Sequence, residues 1–394
     1  EWADKYKGRF DGGWEALRNE IFERQQAMGI VPESCELTDP PPGLSQWHDY
    51  DDDMKAVLAR QMEVFAGYLE HSDHHIGRMV DAIDDLGVLD DTLVIYIIGD
   101  NGGAADSGLE GSSNLFLTYN GALELETPEL MKERLPIMGT PQSYVGYAAG
   151  WAWATSTPYQ WTKQVASHWG GTRNGTVVHW PNGFESRGEI RSQFAHVIDI
   201  YPTILEAAGL TEPVMVNGVS QQPLPGTSLG YSFDDAEADE RHNLQYFEIF
   251  GNRGIYHDGW IASCIHRVPW DGAAKAHPFD DDVWELYAPD DWSQAHNLAD
   301  EQPDKVKEMQ RLWLIEAAKY SALPLDDRVV QRFNPEIAGR PQLVTGTSQI
   351  LYRGMSGLTE SSLLNIKNKS FAVTAELVIP ADGASGVVFS LGGH

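Results

Sequence analysis

Apolar positions change their period several times along the chain, and each change marks an element. Leu58, Met62, Phe65, Leu69, Ile76, Met79 or Val80 and Ile83 recur at helical spacing, and Gly87 closes the run. That pattern predicts a long amphipathic helix. A shorter helix is predicted ahead of it over residues 14–28, separated by the Pro-rich loop DPPPGLSQWHDYDDD. The period then disappears. LVIYIIGDNGG, residues 93–103, is apolar without alternation and runs into Asp100, Asn101 and two glycines. Such a run reads as a strand buried on both faces, as in a parallel sheet. In open α/β sheets ligands sit at the carboxyl ends of the strands. Asp100 and Asn101 would stand there, with hard oxygens suited to Ca²⁺ or Mg²⁺. A plain Asx-turn followed by glycine is the alternative at this point.

Residues 104–150 are Gly-rich and loop-like, with a helix predicted around 127–135. GTVVHWP is a short strand that Pro181 ends. SQFAHVIDIYPTILEAAGL is a helix with Val197, Ile198, Ile204 and Leu205 on its apolar side, stopped by Gly209. Alternating strands and helices predict one α/β domain over residues 1–233. From residue 234 the pattern is different. NLQYFEIF, RGIYHDGWIASCIHR and DVWELYAP are short strands joined by turns, and QPDKVKEMQRLWLIEAAKY is one amphipathic helix. They predict an antiparallel sheet with a covering helix over 234–325. Residues 326–394 read as a linker followed by the alternating runs SFAVTAELVIP and GVVFSL, the start of a β-sandwich with too few strands to close.

Composition narrows the function. With 22% charged and 42% hydrophobic residues, the 394-residue chain is an ordinary globular protein. Lys plus Arg number 28 against 58 Asp plus Glu, a net charge of −30. That argues against a nucleic-acid partner, which needs clustered basic residues. It makes a local basic group more telling if the substrate is an anion, while solvation of the surface is the preferred reading of the charge. Two cysteines, Cys35 and Cys264, make neither a disulfide framework nor a zinc site, and both read as structural. His71, His74 and His75 stand at i, i+3 and i+4 on the long helix; a solvated face is the preferred reading over a metal cluster. No apolar stretch is long enough to span a membrane, and none reads as a signal peptide. The opening EWADKYKG and the closing GVVFSLGGH both read as cuts in a longer sequence.

With Asp100 and Asn101 at a strand end and TKQVASHWGGTR before the next strand, the pattern resembles the sulfatase family of the alkaline-phosphatase superfamily. MEVFAGYLEHSDHHIGRMVDAIDDLG looks like the family helix before its metal strand, and YIIGDNG like that strand and turn. AAGWAWATSTPYQWTKQVASHWGGTRNGTVVHWP resembles the lysine-bearing segment of bacterial arylsulfatases, and FAHVIDIYPTILEAAG the helix after it. GNRGIYHDGWIA and DVWELY resemble the C-terminal subdomain. The resemblance implies an α/β fold with a sulfatase/alkaline-phosphatase-like sheet core and helices on both faces. It implies metal-dependent hydrolysis of sulfate monoesters, of small molecules or glycans. Asp100 and Asn101 match the family's metal ligands, usually on Ca²⁺. Lys163 matches the lysine that holds a sulfate or ester oxygen, a substrate-binding and catalytic role. A fixed ammonium and a divalent cation in a low-dielectric cleft stabilise the charge that moves toward the leaving oxygen. His168 and Arg173 share the segment and carry no assignment. A bacterial cytoplasmic or periplasmic location goes with the resemblance, while the sequence itself leaves the compartment open.

The departure concerns the nucleophile. Family members carry Cys or Ser, one residue, Pro or Ala, one residue, Arg, and convert the Cys or Ser to formylglycine. CELTD fails the pattern, CIHRV places Arg267 one position early, and STPYQ, from Ser156, ends in Gln160. The paired aspartates of the family's first strand and its general-acid histidine are missing as well. The expectation is that formylglycine and these residues lie upstream of Glu1 and that the chain alone is inactive. A phosphonate or phosphodiester hydrolase of the same superfamily, or a non-catalytic relative that binds sulfated glycans, are the alternatives.

Overall fold

The computed structural model describes all residues except 100, 120–121, 272–276, 334, 340–342, 353, 356–357, 359–361, 367–368 and 391–394. Two compact units divide the chain, Glu1–Asp327 and Arg328–His394. The first is mixed α/β.

Its main core is built by helices. Helix α1 (Gly13–Ala27) and the long α2 (Asp52–Asp85) pack around a short α5 (Ala149–Thr155), buried from Ala149 to Ala154. Between them in sequence come strand β1 (Val94–Ile98) and helices α3 (Leu115–Tyr119) and α4 (Pro128–Arg134). The caps are legible in the sequence: Asp51 Oδ1 accepts from the Met54 N–H and starts α2, and the Thr127 hydroxyl accepts from the Leu130 N–H and starts α4. Trp14 and Trp151 meet edge to face at 5.5 Å, and the Trp151 Nε1–H donates to the Leu58 carbonyl at 2.8 Å. Arg18 is buried in this core with no carboxylate partner among the described residues. It donates to Thr38 and to the carbonyls of Trp153, Pro158 and Tyr159, and burial pushes its guanidinium down to about 9. The crowded tryptophans of residues 151–161 thus form a core, and Arg18 ties the chain leading to Lys163 to it.

Strand β1 departs from the expected parallel, doubly buried strand. It pairs antiparallel with β2 (Gly175–His179), Val94 opposite His179 and Ile98 opposite Gly175, as a two-stranded ribbon. Ile97 and Ile98 are 36% and 46% exposed. Apolar sequence alone marks a strand that suits a buried place; burial also needs layers on both faces, and within the described residues this ribbon lacks them. The helix expected over 192–210 is also shorter. His196 and Asp199 form a capping box that begins a 3₁₀ turn at Val197, and α6 covers only Ile200–Ala207. A small hairpin, β3 (Met215–Val216) and β4 (Val219–Ser220), follows.

The antiparallel sheet is present as expected, in the order β5 (Leu244–Ile249), β6 (Asn252–His257), β7 (Trp260–Cys264), β8 (Trp284–Tyr287). Asp258 and Gly259 both take positive φ, as a two-residue hairpin turn requires. Helix α7 (Pro303–Lys319) lays Val306, Met309, Trp313 and Ala317 on Ile255, Ala262 and Leu286. Both cysteines are buried and free, and burial raises the Cys264 thiol to about 12, a structural role for each. His74 and His75 stand on an exposed face of α2, with Trp2 packed on His71 and His74.

The second unit, taken by itself, corrects the expected sandwich strands. Its described residues contain one short helix, α8 (Pro335–Ala338), a 3₁₀ turn and no strand. Val373, Leu377, Val378 and Val387 lie exposed. Alternating sequence makes a strand only where a neighbour completes the ladder and a layer covers the apolar side.

A buried pair in the first unit sets a pH dependence. Asp199 Oδ1 and Oδ2 lie 2.8 and 2.9 Å from His242 Nδ1. Burial works against the imidazolium, yet the Asp199 hydrogen bond and charge prevail and raise the pKa above 6.5. The pair therefore stabilises the fold fully below the unfolded value and fades as pH rises through the raised folded value. Denaturant unfolding followed from acidic to alkaline pH is expected to show this loss, and the His242→Gln variant is expected to lack it. An identical pH profile in the variant would remove the pair from the account.

Candidate functional site

The turn after β1 is built for close backbone contact. Gly102 has φ +80°, and a Cβ there would stand 1.9 Å from the Gly170 carbonyl oxygen. Gly103 is equally tight, with the Ala152 oxygen 2.3 Å from its Cβ position. Three side chains hold the turn by its N–H groups. Gly102 donates to Asn174 Oδ1 at 3.2 Å, Gly103 to Ser156 Oγ at 3.1 Å, and Ala104 to the Tyr147 hydroxyl at 2.9 Å. Ser156, rejected as a nucleophile on its sequence context, is buried, and its hydroxyl donates a hydrogen bond to the Ala152 carbonyl at 2.9 Å. It is scaffold. Sequence reasoning missed Ser156, Asn174 and Tyr147 as holders of the turn. Only the polar residues flanking the glycines hinted at them.

Asp100 lies outside the described residues. Asn101 is half-buried, and its Oδ1 is shut off from solvent with no hydrogen-bond partner among the described residues. Buried polar oxygens are almost always paired, so this one is poised for a donor or a cation. Lys163 lies against the same turn: its N–H donates to the Gly103 carbonyl at 3.0 Å. Its side chain is half-buried, and its ammonium makes no hydrogen bond or ion pair among the described residues.

The neighbours of Lys163 are fixed by packing. His168 is wholly buried. Its Nδ1 lies 3.0 Å from Ser167 Oγ and its Nε2 2.9 Å from Glu285 Oε2. Burial pushes Glu285 up, but the hydrogen bond and charge of His168 prevail and hold it below the usual carboxylate value. His168 thus joins the lysine-bearing segment to β8, and it is a packing residue. Arg173 stacks on Trp292 with its guanidinium carbon 3.8 Å from the ring centroid. Trp161, at φ +65°, stacks on Trp270 at 6.0 Å. A cavity of about 620 Å³ opens elsewhere, lined by His196, Arg241, His242, Phe247 and Lys319, and does not include the turn.

A glycine turn at a strand end is thus set against a lysine-bearing segment in a mixed α/β unit. The sulfatase family model matches residues 1–210, more than half of the chain, and the chain belongs to the sulfatase family. It is 28% identical over 336 residues to an uncharacterized sulfatase of Schizosaccharomyces pombe, covering 84% of this chain and 56% of that protein. It is 25% identical over 235 residues to an arylsulfatase of Klebsiella aerogenes, covering 58% of this chain and 47% of that one. The chain thus spans about half the length of the curated relatives it matches. A solved structure from a glycosaminoglycan-metabolism locus of Bacteroides thetaiotaomicron is similar over 78% of this chain and 54% of that chain. Its TM-score is 0.40 and its identity 15%, a superposition too loose to assign residues. No helix among the described residues is long and apolar enough to cross a membrane.

Proposed function

We propose that the chain supplies part of the active site of an arylsulfatase-like hydrolase of sulfate monoesters, with Asp100 and Asn101 as metal ligands and Lys163 as the group that holds the substrate. One observation carries this reading: the shut-in, unpartnered Oδ1 of Asn101 on a turn whose Gly103 carbonyl accepts from Lys163. An amide oxygen of this kind fits a hard cation, Ca²⁺ or Mg²⁺. Such a cation, when bound, would polarise a sulfate oxygen and offset charge as the ester bond breaks. Asn101 gives one oxygen of the six to eight that Ca²⁺ takes, so the pair is part of a ligand set. Lys163 supplies a compact charge with three donors. In a chain of net charge −30, an ammonium with no carboxylate partner among the described residues can hold a monoanionic ester and orient its leaving oxygen. Ser156, Asn174 and Tyr147 keep the turn in place while the ester binds.

The nucleophile is not among these 394 residues, since no Cys or Ser stands in the required pattern. The chain alone is therefore expected to release no nitrophenol from 4-nitrophenyl sulfate. With a formylglycine-bearing sulfatase segment joined ahead of Glu1, turnover is expected to appear, to stop on chelation and to return with Ca²⁺. Asn101→Ala should raise the Ca²⁺ concentration needed to restore it. Faster turnover of an aryl phosphonate than of the sulfate would replace this reading with that of a phosphonate hydrolase. Turnover indifferent to chelator and to Asn101→Ala would remove the metal role.

A further inference from the structure

The loop between β7 and β8 gathers a second set of ligand-type side chains, separate from the Asn101 turn. His266 follows β7, and His277 and Asp282 precede β8. His266 Nδ1 lies 2.9 Å from Asp282 Oδ1, and His277 Nε2 lies 2.7 Å from the same oxygen. All three donor atoms fall within 4.8 Å of one another. From these positions we infer that His266 Nδ1, His277 Nε2 and Asp282 Oδ1 form a site for an imidazole-selecting divalent cation, Zn²⁺ in the first place, with water in the fourth position.

The surroundings separate this site from a plain hydrogen-bonded cluster. His266 is buried between two carboxylates: its other nitrogen, Nε2, lies 3.4 Å from Asp327 Oδ2. Both ring nitrogens face carboxylate oxygens, so a cation held on Nδ1 leaves Nε2–H to donate to Asp327. Carboxylates set behind a ligating histidine in this way orient the ring and raise its basicity. Asp282 has its own support, since Oδ2 accepts from the Arg253 guanidinium. Phe279 stacks on the His266 ring at 4.2 Å and fixes its plane.

Two imidazoles and one carboxylate suit Zn²⁺ better than the all-oxygen preference of Ca²⁺ or Mg²⁺. Tetrahedral zinc with bonds near 2.0–2.1 Å sets its donors about 3.4 Å apart, so the triangle must widen by roughly half an ångström. His277 can supply that shift, because its side chain is 43% exposed. Filling the site ties the end of β7 to the start of β8. Trp270, close after His266 in sequence, stacks on Trp161, two residues before Lys163. The cation therefore has a structural role and does not take part in the sulfate chemistry.

The test uses the 394-residue chain freed of metal by chelation. Zn²⁺ is titrated by calorimetry, and Co²⁺ is added as a spectroscopic probe for tetrahedral coordination. One tight equivalent is expected, with intense Co²⁺ visible bands. His277→Ala, at an exposed position that keeps the fold by circular dichroism, should weaken binding at least ~10-fold. Asp327→Asn should weaken it about 10–100-fold, the scale for losing a partner behind a ligand. Asn101→Ala and His75→Ala should leave it unchanged. No stoichiometric binding, binding that survives His277→Ala, or binding lost with His75→Ala would each overturn the assignment.

Discussion

Lys163→Ala is expected to cut turnover of 4-nitrophenyl sulfate by about 10²–10³-fold, the range for losing one preorganised charge-stabilising donor. The measurement needs the formylglycine-bearing segment joined ahead of Glu1, with Ca²⁺ present. The loss should appear mainly in kcat if the ammonium serves the leaving oxygen, and in KM if it serves only to hold the ester. Lys163→Arg tests geometry, because a planar fork cannot replace a point charge that serves two oxygens; partial recovery at most is expected. Folding should be untouched, since the Lys163 link to the turn is its backbone N–H. Unchanged turnover in Lys163→Ala would place the chemistry elsewhere.

Gly102→Ala is expected to disrupt the site through the backbone. The new Cβ would stand 1.9 Å from the Gly170 carbonyl oxygen, a main-chain atom that cannot swing aside. A positive φ adds about 1–2 kcal/mol for a residue with a Cβ. The turn must open, and Gly103 then leaves both Ser156 and Lys163. Thermal unfolding should fall by several degrees, and activity in the joined enzyme should be lost. Gly209→Ala is the control. Its φ is +64°, with nothing within 4 Å of the Cβ position, so strain alone remains. If both variants melt alike, the close approach to Gly170 has no energetic weight.

What the sequence revealed follows the range of the forces involved. Helix α7 and the Asp258–Gly259 hairpin were legible because period and turn chemistry are local. So was membership of the sulfatase family, through the likeness of the quoted segments. The ribbon of β1 and β2 was misread, because an apolar run states what a strand could bury and not what lies beside it. The strands expected near residues 371–390 failed for the same reason. The pairings of His168 with Glu285 and of Asp199 with His242 span 117 and 43 residues. No local pattern encodes contacts that distant. The His266 cluster was nearer to hand. Two histidines and an aspartate bracketing a loop between strands are visible in the sequence, but only the sheet brings them together.

The β1–β2 ribbon also governs how the chain behaves as a solute. Ile97, Ile98 and Val177 face solvent, and among the described residues each strand has a single hydrogen-bonded neighbour. An open apolar ribbon of this kind offers other copies a template for pairing. A net charge of −30 opposes such encounters by mutual repulsion. That repulsion reaches about 10 Å at 0.1 M salt and about 3 Å at 1 M. Colloidal stability is therefore ionic: dilute buffer keeps copies apart, and concentrated salt exposes the ribbon to its neighbours.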